Sequence, residues 1–203
     1  MTRVFTHEEA AKFLFLINYG YDDYLGARTL LNSRVYLPAL TLAHTAIEKQ
    51  IKSILYYFED TYKYGHKTTE MIDSLKIHDD ELLSTSDIES IILLEKCYHF
   101  RYIDSKNRTL DKIEFPVAEL LFTLDSMTHR FQNKIQFRNS HKTKYQIDVK
   151  ENRKELYHNN RVLNSKVYIK DVNVMPYIFF CYDADQHAIC EISYIPENNP
   201  IIG

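Results

Sequence analysis

The sequence predicts a mainly α protein: an up-and-down bundle of four to five helices with a small C-terminal β-hairpin or sheet extension. Three observations predict this. In separate segments between residues 6 and 137, apolar side chains recur every three or four residues, the spacing that lines one face of a helix. Glycine is scarce, at 4 in 203 residues, and Trp is absent, which favours long helices over a β-sandwich. Beyond Phe137 the pattern shortens to alternating aromatic and β-branched residues, the texture of strands. The chain thus divides into a bundle of residues 1–137 and a basic linker with β-rich extension of residues 138–203.

Each element has its own signal. Thr6 and Glu9 form a capping box with Phe5 as staple, so the first helix starts near His7. Its apolar positions include Ala10, Leu14, Ile17, Tyr21, Tyr24 and Leu31, and Gly20 and Gly26 mark places for a bend. The second helix is the clearest: Leu40, Ala43, Ile47, Ile51, Ile54 and Phe58 form one stripe, and Pro38 suits a first turn. On the edge of that stripe stand His44 and Glu48, with Lys52 one turn further in the favourable Glu-then-Lys order. A short third helix with Met71, Ile72 and Leu75 follows Gly65-His66. Ser86 and Glu89 cap a fourth helix bearing Ile88, Ile91, Ile92, Leu94 and Tyr98. Residues 103–114 read as polar and irregular. Pro116 opens a fifth helix with Leu120, Leu121, Leu124, Met127, Phe131 and Ile135 as its stripe. After the linker, Tyr145, Ile147 and Val149, then Val167 and Ile169, alternate as strands do. Residues 177–182 and 188–195 read as a hairpin about Asp183-Ala184-Asp185-Gln186, with Cys181 opposite Cys190.

Charge and cysteine content narrow the class. The net charge is only −3, yet residues 130–170 hold 11 Lys or Arg against 3 Asp or Glu, while the remainder holds 14 against 25. A positive segment on an acidic body attracts phosphates, or docks on that body or on an acidic partner. The N-terminus lacks the uncharged apolar core of a signal peptide, and no run nears the ~18 apolar residues of a membrane span. Three cysteines without CxxC spacing fit a reduced, cytoplasmic protein. There is no HExxH, CxxC, glycine-rich phosphate loop or GxSxG elbow, so no metal or cofactor is expected.

The second helix, with Ala46-Ile47-Glu48-Lys49-Gln50-Ile51-Lys52, resembles the second helix of HEPN domains, where an A-I-E-K-x-I/L-K core is typical. Tyr24, Ala27, Leu30 and Leu31 resemble that family's first helix, Gly65-His66 its turn, and His99-Phe100-Arg101-Tyr102-Ile103-Asp104 its RYPD turn, with Ile103 where Pro is common. The resemblance covers residues 8 to 136. It implies a helical bundle, usually a homodimer, that binds nucleotide or RNA; family members occur in toxin–antitoxin systems, as metal-independent ribonucleases or as partners of nucleotidyltransferases.

HEPN ribonucleases use an Arg-x(4–6)-His motif. Histidine moves a proton near neutral pH and arginine stabilises charge on the phosphorane. Here Arg153 and His158 alone satisfy that spacing, and they lie beyond the fifth predicted helix. Chance supplies about one such pair in a chain of this composition. A second constellation joins His44 and Glu48 to Arg101, Tyr102 and Asp104, as phosphate and base contacts or as a structural ion-pair cluster. Arg138, Lys142 and Lys144 in the basic stretch complete the candidate nucleotide or RNA contacts; Arg138-Asn139 opens like a ribonuclease motif, but His141 comes too early. The expected function is a non-catalytic nucleotide- or RNA-binding protein, with a metal-independent endoribonuclease and a protein-interaction module as the alternatives.

Overall fold

The computed structural model describes residues 5–59, 65–99, 111–135, 142–164, 179–182 and 188–195. The protein is mainly helical. Among the described residues seven helices occur: α1 (His7–Asn32), α2 (Tyr36–Glu59), α3 (Thr68–His78), α4 (Thr85–His99), α5 (Val117–Lys134), α6 (Lys144–Lys150) and α7 (Lys154–Tyr157). Three strands, β1 (Asp111–Pro116), β2 (Phe179–Tyr182) and β3 (Ala188–Ile195), form a sheet in the order β1-β3-β2.

Local chemistry starts and stops these helices. Thr6 accepts from the Glu9 N–H while Glu9 reaches back to the Thr6 N–H, so α1 begins on a complete capping box. α1 then runs through Gly20 and Gly26 as one helix. Both glycines face α2: a Cβ at Gly20 would lie 3.1 Å from Lys49 Cβ and 3.2 Å from the Ala46 carbonyl oxygen, and one at Gly26 would lie 3.1 Å from a Leu42 methyl. The missing side chains let the two longest helices approach closely, which outweighs the loss of helix propensity. α4 begins two residues before the expected position. Ser84 and Asp87, rather than Ser86 and Glu89, exchange the capping bonds, at 2.6 and 3.3 Å, because the shorter carboxylate at the third helical position also reaches Arg130 of α5. Lys67 gives α3 no side-chain cap; Glu95 of α4 supplies the acceptor instead, 2.9 Å from the Thr69 N–H.

The core lies where α1, α2, α3, α4 and α5 meet. Phe13, Ile17, Leu40, Ile47, Ile51, Leu75, Leu94, Leu124 and Phe131 are all buried in it. Fully burying such a side chain stabilises by about 1.5–3 kcal/mol before entropic costs.

Two expectations fail, one on local grounds and one through a distant pairing. Tyr145, Ile147 and Val149 lie on α6, not on a strand. Thr143 and Gln146 form a second capping box, at 3.3 and 3.1 Å, and Asn152 just past the helix takes φ 53°, the left-handed stop that Asn tolerates. Two strong end signals overrule a five-residue alternation. The stretch read as irregular up to residue 114 contains β1, which pairs in parallel with β3, Asp111 opposite Cys190 through Pro116 opposite Ile195. β2 runs antiparallel to β3 with Cys181 opposite Cys190.

Candidate functional site

The polar row of α2 is buried. His44, Glu48 and Lys52 are all shut from solvent although they stand beside the stripe rather than on it. α3 and α4 cover them. Thr68 Oγ1 at the start of α3 lies 3.1 Å from His44 Nε2, and the Tyr98 ring of α4 lies against the His44 ring, tilted by 34° with centroids 4.2 Å apart. Glu48 Oε1 accepts from Lys52 Nζ at 2.6 Å, and His66 Nδ1 lies 3.0 Å from the same oxygen. His66 is the outer member of this group, with its side chain 82% exposed. The arrangement gives Glu48, Lys52 and His44 Nε2 polar partners inside the low-dielectric interior.

A second polar cluster fastens α6 and α7 to the bundle. Arg28 of α1 grips Asp125 of α5 with two bonds, Nε to Oδ1 at 2.8 Å and Nη2 to Oδ2 at 3.0 Å, with both side chains only 1% exposed. Tyr24 donates to Asp125 at 2.6 Å. The remaining arm of Arg28 donates to the carbonyls of Glu155, at 3.1 Å, and His158 at the C-terminal end of α7. These carbonyls are the groups a helix end leaves unpaired, and a cation suits the negative end of the helix. Burial raises the Asp125 carboxyl above its usual range, with Arg28 and Tyr24 opposing. Desolvation pulls Arg28 down, but the Asp125 bond and charge more than restore it. Next to this cluster, Tyr21 donates to Asp148 at 2.8 Å, and burial lifts the Tyr21 hydroxyl pKa far upward.

α7 is a single turn between two left-handed asparagines, Asn152 and Asn159 at φ 53° and 55°. It brings Arg153 and His158 to its two ends. Arg153 Nη1 donates to Asp148 at 2.8 Å and its Nε to Glu155 at 3.2 Å; the Asp148 bond holds its pKa above the ordinary arginine value. His158 points its ring to solvent, near Asn159.

Of the other sequence-nominated residues, Lys144 is half-buried, pairs with Asp22 and donates its backbone N–H to Asn18 at 2.9 Å. Lys142 is exposed. Arg101, Tyr102, Asp104 and Arg138 lie outside the described residues, as does His141. So His44 and Glu48 share one site with His66 and Thr68, while Arg153 and His158 share another with Arg28 and Asp148. Sequence reasoning missed Arg28, Asp125, Asp148 and the exposed Lys150 and Lys154. One signal existed: Arg28 and Asp125 each sit on the apolar stripe of a helix, where a charge requires a partner.

A bundle of five main helices whose second helix carries a buried His-Glu-Lys row defines the class of protein. A family model described as the HEPN domain matches residues 14–118, more than half of the chain, and the chain belongs to this family. The match runs from α1 to the first turn of α5; it includes His44, Glu48, Arg101, Tyr102 and Asp104 and leaves out Arg153 and His158. No curated protein and no solved structure matches the chain. No helix among the described residues is long and apolar enough to cross a membrane.

Proposed function

We propose that this protein is a non-catalytic, nucleotide- or RNA-binding HEPN protein that works in the cytoplasm as a homodimer, with a nucleotidyltransferase as partner. The chain divides into the bundle of residues 1–137 and an appendage of residues 138–203 that carries the basic segment and the C-terminal β-hairpin. The observation that carries the reading is the state of Arg153. Its guanidinium is engaged by both Asp148 and Glu155, which compete with a phosphorane for its charge. Lys142, Lys150 and Lys154, by contrast, are exposed and have no carboxylate partner among the described residues. These lysines, with Lys144 and Arg138, are the phosphate contacts. Arg101, Tyr102 and Asp104, which follow α4 in the sequence, are the remaining candidate ligand contacts.

The endoribonuclease reading, of toxin or defence type, rests on one observation: His158 is exposed and its main chain is pinned by Arg28. Incubation of labelled single-stranded RNA with wild type and His158→Ala in EDTA tests the choice. Intact RNA retained in a complex that weakens with salt supports binding, because phosphate contacts release counterions. Metal-independent cutting that His158→Ala abolishes would replace it with the ribonuclease reading. Neither binding nor cutting would leave a protein-interaction module.

A further inference from the structure

The outer face of α1 carries a row of exposed side chains. Glu8, Lys12, Phe15, Tyr19 and Asp22 are all exposed, and their spacing of four, three, four and three residues puts them on one stripe. The row carries two aromatics at its centre and charges at its ends. α1 already buries its opposite side, Phe13, Ile17, Tyr21, Tyr24 and Ala27, in the core. At the middle of the outer stripe Phe15 is 62% exposed and Tyr19 50% exposed, with ring centroids 4.4 Å apart. Two large aromatics held together in water are costly unless something covers them. A cleft of about 560 Å³ opens beside them, lined by Ala11, Lys12, Phe15, Leu16 and Tyr56.

We infer that α1 pairs antiparallel with α1 of a second copy of this chain across a two-fold axis that passes between Phe15 and Tyr19 on the outer face. This rests on the dimer reading above and specifies its surface. The charges choose the direction. With the axis between Phe15 and Tyr19, Phe15 lies opposite Tyr19 of the second copy and Lys12 opposite its Asp22, each contact occurring twice by symmetry. A parallel pairing sets Lys12 against Lys12 and Asp22 against Asp22, and like charges repel. In the antiparallel pairing Tyr19 of the second copy is the knob that enters the cleft between Ala11, Lys12, Phe15 and Leu16. Lys12 now pairs with Glu8 and Asp22 with Lys144, both at the exposed surface. Exchanging such pairs costs little. Lys49, 2.6 Å from Asp23 and 5.4 Å from the Tyr19 ring centre, borders the seam on the α2 side.

Sedimentation equilibrium of the full-length chain tests this. The wild type sediments as a dimer. Phe15→Asp and Tyr19→Asp each weaken the dimer by at least about a hundredfold, as loss of a central aromatic anchor does, while circular dichroism keeps the helical signal because both side chains face solvent. Lys12→Glu also weakens it, and Lys12→Glu combined with Asp22→Lys restores it. A monomeric wild type would overturn both this surface and the dimer reading. A dimer indifferent to Phe15→Asp would overturn the surface alone. Failure of the double charge exchange to restore a dimer weakened by Lys12→Glu would overturn the antiparallel arrangement.

Discussion

The polar row of α2 and the basic segment of α6 and α7 look alike on paper. Each places a histidine, carboxylates and cations within a few residues of one another. The fold treats them oppositely. His44, Glu48 and Lys52 are buried; Lys52 pairs with Glu48, while His44 meets Thr68 of α3 and Tyr98 of α4. Lys142, Lys150, Lys154 and His158 face water. What separates the two is position relative to the bundle: a polar residue beside a stripe is buried when a neighbouring helix lies over it and exposed when none does. Burial converts the first group into structure, whereas exposure leaves the second able to meet a phosphate.

Breaking the buried side of this comparison should produce the largest effects. Arg28→Ala removes the cation from buried Asp125 and the donor from two α7 carbonyls. Chemical denaturation should show a loss of about 3–5 kcal/mol, the cost of stranding a buried charge. Glu48→Ala removes the carboxylate that Lys52 and His66 share, with an expected loss of about 2–3 kcal/mol by the same measurement. Gly20→Ala gains helix propensity but presses a methyl toward the Ala46 carbonyl and Lys49. Overpacking of about 1–3 kcal/mol should exceed a propensity gain of about 0.5–1 kcal/mol, for a net loss seen in thermal melts.

The same logic explains what the sequence reveals and what it hides. α1, α2 and α5 are legible because each has a stripe, and α1 also has the Thr6–Glu9 box. The glycines of α1 suggest a bend only until α2 is known to press against them. α6 is hidden because Tyr145, Ile147 and Val149 alternate like a strand, although Thr143 and Gln146 hold the capping signal that decides it. β1 is hidden because its partner β3 is some eighty residues away and parallel pairing leaves no local mark. The Arg28–Asp125 clamp spans 97 positions. Nothing in either helix names the partner, although a charge on an apolar stripe announces that one must exist. The His44–Glu48 site is half legible: the residues are evident, but their burial depends on how α3 and α4 return over α2.

Acidity offers a finer test. Burial first, and then the charge of Arg130, lower the His129 pKa below its ordinary 6.5, and Tyr145 Oη lies 2.6 Å from its Nδ1. The fold therefore prefers the neutral ring. The stability that this preference supplies is fully present above the unfolded pKa and is lost as pH falls through the lower folded value. Melting curves from about pH 7.5 to about pH 5 should show the advantage of wild type over His129→Gln shrinking with acid; an advantage that grows would reverse the sign.

The smallest effect on stability should come from the exposed side. Lys142→Ala/Lys150→Ala/Lys154→Ala should keep stability within about 0.5 kcal/mol per substitution, and this variant tests the central claim most directly. The measurement is the affinity of wild type and variant for labelled single-stranded RNA across a series of salt concentrations. The account predicts weaker binding by the variant and a salt slope shallower by about 0.7 for each phosphate contact removed. An unchanged affinity and slope would contradict it and take the phosphate contacts away from α6 and α7.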